Sequence, residues 1–75
     1  MQITVKLLKQ RGYSTETGAV DYYKAQKNNG EIIYLQRFSY HDASTPSEWS
    51  QCSRHAFEED DSPIITPNRV ETIEL

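Results

Sequence analysis

The sequence has few of the features that stabilise or localise a small protein. Its 75 residues include one cysteine, Cys52, so no internal disulfide can form. A reduced compartment such as the cytoplasm is the expected location for such a chain. The opening residues, Met1–Val5, do not form a basic segment that leads into an apolar run, so we expect no signal peptide. No stretch approaches the roughly 18 apolar residues of a transmembrane helix, so we expect no membrane association.

Apolar residues and net charge are both low. Hydrophobic residues make up 36% of the chain, and a chain this short buries only about 60% of its unfolded surface. So modest a core favours a partner, or self-association, as an additional source of stability. The net charge of −3 argues against a protein dedicated to duplex DNA, because such proteins carry a basic stripe. We predict a single domain spanning residues 1–75.

A turn signal at Asn28-Asn29-Gly30 separates two segments rich in aromatic and β-branched residues, Val20–Lys27 and Glu31–Tyr40. This pattern predicts a β-hairpin. A two-residue turn would set charged residues opposite apolar ones. A three-residue loop with Gly30 in the left-handed region instead makes favourable pairs, each contributing about 0.2–1 kcal/mol. The predicted cross-strand partners are Lys27 with Glu31, Ala25 with Ile33, Tyr23 with Leu35, and Asp21 with Arg37.

Two further strands are predicted towards the ends of the chain. Gln2–Leu8 alternates apolar and polar residues, which is typical of a half-buried strand. Arg69–Leu75 is predicted as a short last strand with Ile73 on its apolar side. The segment Lys9–Gly18, which follows the first strand, is polar and contains two glycines, so we expect a long loop or a wide hairpin connection there.

One helix is predicted from Thr45-Pro46-Ser47-Glu48 to about Phe57. Thr45 suits the N-cap, the proline suits the first helical position, and Glu48 completes a capping box. The helix should end near Phe57, because the acidic residues beyond it would oppose the dipole at its C-terminus. Its apolar stripe comprises Trp49, Cys52, Ala56 and Phe57.

These elements predict a small α+β fold in the order β-β-β-α-β. It consists of an antiparallel sheet of three or four strands with one short helix packed on a face. The helix is too short to be stable alone, so its Trp49 stripe should contact the sheet. The alternative is a curled, barrel-like, mostly-β domain.

Cys52 and His55 are the one pair that suggests either a metal site or a nucleophile with its base. A structural zinc site needs about four ligands, and only His41 and carboxylates remain to supply them. Catalysis would also need an orienting third group and a cleft. We therefore predict no metal, no cofactor and no enzymatic activity, with Cys52 packed in the stripe and His55 in solvent.

The densest block of charge is Glu58-Glu59-Asp60-Asp61. It is a candidate contact for a basic groove on another protein, with Trp49 one short helix away. The simpler interpretation is a solvated loop between the helix and the last strand.

The tyrosines of the hairpin are the second candidate contact. In the predicted register Tyr22 and Tyr34 share a face with Lys24, opposite the face of Ala25 and Leu35. If the helix covers the apolar face, these tyrosines are exposed, and Arg37 adds a basic group on the hairpin. Such a surface resembles a binding hot spot or a base-stacking platform. The simpler interpretation is that tyrosine suits β-strands.

The resulting hypothesis is a non-enzymatic, cytoplasmic protein-binding module. Small acidic chains of this sort are frequent among phage and mobile-element inhibitors, which suggests a protein that occupies a basic, nucleic-acid-handling surface of a larger host protein or complex. Its expected contacts are Tyr22, Tyr34, Arg37, Trp49, Glu58, Glu59, Asp60 and Asp61. The alternative is single-stranded nucleic-acid binding through the tyrosine-rich face. Its stacking rings would be Tyr22, Tyr34 and Phe38, and its phosphate contacts would be Lys24, Lys27 and Arg37. An open sheet edge could also pair with a second copy of the chain.

Overall fold

The structure is a computed structural model that describes all residues from 1 to 75. It is mostly β, with five strands in one antiparallel sheet of order β4-β3-β2-β1-β5 and one short helix. The antiparallel sheet and the single helix are confirmed, but there are five strands, and the sheet curls into a half-barrel as in the alternative fold. The elements are β1 (Gln2–Ser14), β2 (Gly18–Lys27), β3 (Ile32–Tyr40), β4 (Glu48–Cys52), α1 (Arg54–Glu59) and β5 (Arg69–Glu74).

The predicted hairpin is confirmed in position and register. The four predicted cross-strand relations hold, with Asp21 opposite Arg37, Tyr23 opposite Leu35 and Ala25 opposite Ile33. At the tip, the amide of Lys27 donates to the carbonyl of Glu31 at 2.9 Å, which closes a three-residue loop. Gly30 has a φ of 90°, the left-handed conformation that the loop requires.

A long loop at Lys9–Gly18 is wrong, because β1 continues to Ser14 and pairs with β2 from Val5 to Ser14. The two strands form a hairpin, the other alternative, but its connection is short and comprises residues 15–17. A β-bulge at Leu8 shifts the register between Leu7 and Lys9. Because of the extra residue, every side chain of β1 after the bulge points to the opposite face from the one that simple alternation would give. Gln10 therefore lies on the face of Leu7, and Arg11 lies on the other face. A polar segment with glycines can still form a strand when partners are available. Here the partners are β2 on one side and the Gln10–Ile65 bridge on the other, and the local composition does not reveal them.

The main core lies on one face of the sheet, which we call the concave face. No helix covers it; instead the sheet curls, so that Trp49 of β4 and Ile73 of β5 pack on the same cluster although their strands are at opposite edges. Curling lets a single sheet close its own core, as in small barrels. The buried cluster is Val5, Leu7, Tyr23, Ala25, Ile33, Leu35 and Ile73.

The opposite, convex face carries α1. Phe57 is the buried residue of the helix and lies with its ring centroid 5.6 Å from that of Tyr34. The helix therefore does not cover the face of Ala25, Ile33 and Leu35, which was the condition for exposed hairpin tyrosines. Those side chains are already covered by the curl of the sheet.

The predicted helix start is also wrong. Residues 48–52 form β4, which pairs antiparallel with β3 and places Trp49 on the concave face opposite Arg37. The N-cap is Ser53, whose hydroxyl accepts from the amide of Ala56 at 3.1 Å. Thr45 instead donates to Asp42 in the preceding turn at 3.2 Å. The Trp49-Ser50-Gln51 stretch gains a ladder of backbone hydrogen bonds as a strand, and a short helix could not match this burial of the tryptophan.

The segment between α1 and β5 crosses to the far side of β1. Ile65 exchanges two backbone hydrogen bonds with Gln10, at 2.8 and 2.9 Å. Asn68, the residue before β5, has a φ of 49°, and asparagine tolerates this region better than most residues. No helix of the chain has the length and apolar character needed to cross a membrane.

Candidate binding surface

The eight contacts predicted from the sequence do not form one surface. Arg37 and Trp49 lie on the concave face, whereas Tyr22, Tyr34 and the acidic block lie on the convex side. The sheet itself separates the two sets, because successive side chains of a strand point to opposite faces. The block Glu58–Asp61 is named the acidic segment.

The acidic segment is anchored at its start by Phe57. The Phe57 side chain is only 6% exposed and packs at 5.6 Å, between ring centroids, on Tyr34 of β3. The guanidinium of Arg11 in β1 lies 5.6 Å from the centre of the same ring. Phe57 is thus held between an aromatic ring and a cation, each a favourable contact for an aromatic ring.

The segment is anchored again at its end, through Ser62. Arg11 donates from Nε and Nη2 to the Ser62 carbonyl oxygen at 3.1 and 2.8 Å. The Asp60 carboxylate accepts from the Ser62 amide at 3.1 Å and from its hydroxyl at 2.7 Å. This is the local turn that an aspartate forms with the residue two positions on. Arg11 therefore fixes both ends of the acidic segment to the sheet.

The carboxylates of the segment differ in exposure and in partners. Glu58 pairs with Arg54 at 3.2 Å and Glu59 with His55 at 3.3 Å, but their side chains remain 53% and 71% exposed. Asp61 is exposed, and Asp60 is half-buried in its turn with Ser62. Exposed pairs of this kind contribute little to stability. Glu58, Glu59 and Asp61 therefore present negative charge to solvent from a fixed backbone.

Tyr22 and Tyr34 lie on the convex face of the sheet, between its strands and the acidic segment, and do not form an exposed aromatic surface. Both are half-buried, and Tyr34 is in contact with Phe57. Burial raises the pKa of Tyr22, and the hydrogen bond with Tyr13 and the nearby Asp60 add to the rise. The expectation that the two tyrosines are exposed together is therefore wrong.

The concave face holds a different cluster, centred on Arg37. Its guanidinium lies 5.3 Å from the Trp49 ring and 5.7 Å from the Tyr23 ring, and it pairs with Asp21 at 3.6 Å. The two rings are 5.2 Å apart. Burial raises the pKa of Tyr23, while the charge of Arg37 opposes the rise. These contacts lie on the concave face at the edge of the core, where Trp49 packs against Tyr23 and Arg37.

Cys52 and His55 are not brought together as a reactive pair. Cys52 is half-buried on β4, and burial raises the pKa of its thiol, so the reactive thiolate is disfavoured. His55 is exposed on α1 and faces Glu59. No group of three or more His, Cys, Asp or Glu side chains is arranged to hold a metal ion, and the structure contains no pocket.

Sequence reasoning missed Arg11, the residue that organises the surface. It lies 51 positions from Ser62, and its orientation depends on the bulge at Leu8, so no local pattern indicates its role. The turn between Asp60 and Ser62 does have a signal, because aspartate followed two residues later by serine is typical of such turns.

Comparison with protein-family models, with curated proteins and with solved structures gives no match for this chain. The two faces of the sheet differ in what they display to solvent. Of these, the convex face displays charge to solvent, while the concave face uses its charged side chains to close the core.

Proposed function

We propose that this protein is a non-enzymatic protein-binding module that docks its acidic segment, Glu58–Asp61, on a basic surface of a larger protein. A surface that handles nucleic acid is the expected target, and the module inhibits it by occupying it. The observation that carries the proposal is the double anchoring of the segment by Phe57 and by Arg11 with Ser62.

Anchoring matters because binding costs conformational entropy. Ordering a flexible loop at an interface costs about 0.5–1.5 kcal/mol for each immobilised side chain. Here the backbone around Asp60 is already fixed by its turn with Ser62, so less ordering remains for the complex. The exposed carboxylates of Glu58, Glu59 and Asp61 would also accelerate association with a basic surface, an effect that salt suppresses.

The alternative hypothesis, single-stranded nucleic-acid binding, receives no support from the geometry. Its stacking rings were Tyr22, Tyr34 and Phe38, but Tyr34 packs on Phe57 and Phe38 packs edge-to-face on Tyr40 at 4.8 Å. Arg37, one of its phosphate contacts, lies on the other face with Asp21. Two of the rings are therefore engaged in contacts within the fold, and of the cations Lys24 shares their face whereas Arg37 does not.

The test is affinity capture from an extract of the native host with a tagged chain, followed by quantitative mass spectrometry. The informative variant reverses Glu59 and Asp61 to lysine. Asp60 is left in place because its carboxylate holds the turn with Ser62. The matched control reverses two exposed acids outside the segment, Glu16 and Glu31, and has the same net charge. It loses one exposed pair, Glu31 with Lys27, just as the informative variant loses the exposed pair of Glu59 with His55.

The proposal predicts a protein that is enriched by the wild-type chain and by the control but is lost with Glu59→Lys/Asp61→Lys. The two variants should unfold at similar urea concentrations, which separates binding from stability. Equal retention by both variants would contradict the proposal, as would the absence of any enrichment over the tag alone.

A further inference from the structure

The open edge of β4 differs from the other edge of the sheet. β4 and β5 are the terminal strands. β5 carries the charged residues Arg69, Glu71 and Glu74, whereas β4 has one charge, Glu48, at its first position. Natural sheets protect their edges with charged residues, proline or bulges. The middle of β4, from Trp49 to Gln51, has none of these.

The ladder determines which backbone groups of β4 point outwards. The amide of Lys27 donates to the carbonyl of Glu31 across the hairpin, and hydrogen-bonded residues alternate along antiparallel strands. On β3 the residues that bond to β4 are therefore the even-numbered ones, which include Gln36, opposite Ser50. It follows that Ser50 bonds to β3, while Trp49 and Gln51 direct their N–H and C=O groups away from the sheet.

We propose that a second copy of this chain pairs with this edge, β4 against β4, antiparallel about a two-fold axis at Ser50. Trp49 of each chain then lies opposite Gln51 of the other, which pairs the four outward-pointing groups of each strand. Ser50 lies opposite Ser50, a small side chain at the close, non-hydrogen-bonded position. Glu48 lies opposite Cys52, so no two like charges face each other across the axis.

The pairing also suits the side chains of the concave face. Trp49 is half-buried, packs on Tyr23 and lies at the rim of the core. Gln51 of the second copy would cover the outer side of the Trp49 ring. Since β4 has five residues, the interface is small and the dimer is of the weak class, below about 1,200 Å² of buried surface.

One consequence rests on the proposed function. The acidic segment begins a few residues after Ser50, so the dimer would display two such segments around one axis. A partner with two basic sites would then be bound with greater avidity. Loss of the dimer would reduce this avidity without abolishing capture by a single segment, so the two proposals can fail separately.

Sedimentation velocity of the full chain tests the dimer. The measurement should cover a roughly hundred-fold range of protein concentration, because association follows mass action. The wild type should shift from one chain to two as concentration rises. Gln51→Pro removes an outward N–H and spares the internal ladder, so it should remain monomeric with an unchanged circular dichroism spectrum. Thr72→Pro is the matched control on β5. The amide of Leu75 donates to the carbonyl of Met1. Because hydrogen-bonded residues alternate along the strand, the amide of Thr72 points away from the sheet. The Thr72→Pro variant should therefore keep its ladder and still dimerise.

Disulfide trapping provides a second measurement that does not depend on the proline variants folding. In a Cys52→Ser background, Ser50→Cys should oxidise to a covalent dimer, because the Cα separation of such a pair suits a disulfide. Thr72→Cys in the same background should not. Preferential trapping by Thr72→Cys would overturn the proposal, as would a wild type that stays monomeric at every concentration or a dimer that persists in Gln51→Pro.

Discussion

Phe57 of α1 packs on Tyr34 of β3 with 5.6 Å between ring centroids, and this contact places the helix on the convex face of the sheet. The main core is on the other face, closed by the curl of the strands. The acidic segment after Phe57 is therefore mounted on the outside of a sheet whose core forms without it. The contacts on the two faces can be tested one at a time by substitution.

Phe57→Ala should lower the free energy of unfolding by about 2–4 kcal/mol, because it removes a buried ring and leaves a cavity. His55→Ala, on the exposed side of the same short helix, should change it by less than about 0.5 kcal/mol. The measurement is urea denaturation. Trp49 fluorescence of the native Phe57→Ala protein should be unchanged, since Trp49 packs on the concave face. Equal effects of the two variants would contradict the placement of the helix.

Arg37 and Asp21 should be energetically coupled. Their side chains are 24% and 21% exposed, so the pair is shielded more than a surface ion pair, and Arg37 also contacts the rings of Tyr23 and Trp49. Arg37→Ala should cost about 1–3 kcal/mol. In a double-mutant cycle with Asp21→Asn we expect a coupling energy of at least about 0.5 kcal/mol. Strict additivity would show that the pair does not interact.

Gly30→Ala tests the hairpin loop. A Cβ at Gly30 would meet no atom within 4 Å, so any cost comes from the positive φ of 90°. We expect a loss of about 1–2 kcal/mol, the penalty of the left-handed region for a residue with a side chain. The midpoint of urea denaturation should fall with an unchanged slope. Asn28→Ala, at an exposed position of the same loop, is the control, and an equal loss there would contradict the explanation.

Tyr23→Phe should stabilise the protein, with a larger gain at alkaline pH. The Tyr23 hydroxyl is buried and lacks a hydrogen-bond partner, so its removal should raise the free energy of unfolding at neutral pH by about 1 kcal/mol.

The alkaline effect has a definite sign. Burial raises the pKa of Tyr23 above its ordinary value, so the fold favours the neutral phenol. This contribution to stability is fully present below about pH 10, the unfolded pKa, and is lost as the pH rises through the folded pKa. Wild type should therefore lose more stability above about pH 10 than Tyr23→Phe. Tyr40→Phe, which removes an exposed hydroxyl that donates to Glu48, should give no stabilisation. A destabilised Tyr23→Phe would contradict the account.

The hairpin could be predicted from the sequence because its register depends on pairs that lie close along the chain. Asp21 with Arg37 and Ala25 with Ile33 are fixed once the loop at Gly30 is chosen. The last strand was also predicted, since Ile73 is a clear apolar position. The acidic block was identified as a candidate contact, although its role remains a prediction.

The rest depends on long-range pairing that local patterns do not encode. The residues around Trp49 have a pattern typical of a helix. In the structure Trp49 instead lies in β4, where it pairs with Arg37 of β3 in the ladder. Residues 9–14 have a loop-like composition but lie in β1, which pairs with β2 along their length and bridges to Ile65 on its other side. The bulge at Leu8 then determines that Arg11 faces Phe57 and Ser62. Exposure of the hairpin tyrosines requires the helix to cover the apolar face, and it lies on the opposite face, against Tyr34.

The most direct test of the central claim is the mobility of the acidic segment in solution. Backbone ¹⁵N relaxation of the wild-type chain should give order parameters of about 0.85 for Glu58–Ser62, the value of a rigid backbone. In Arg11→Gln, which loses the contacts to Phe57 and to the Ser62 carbonyl, the values should fall for these residues while those of β2 and β3 stay unchanged. Order parameters below about 0.6 in the wild type would mean a flexible loop and would contradict the account.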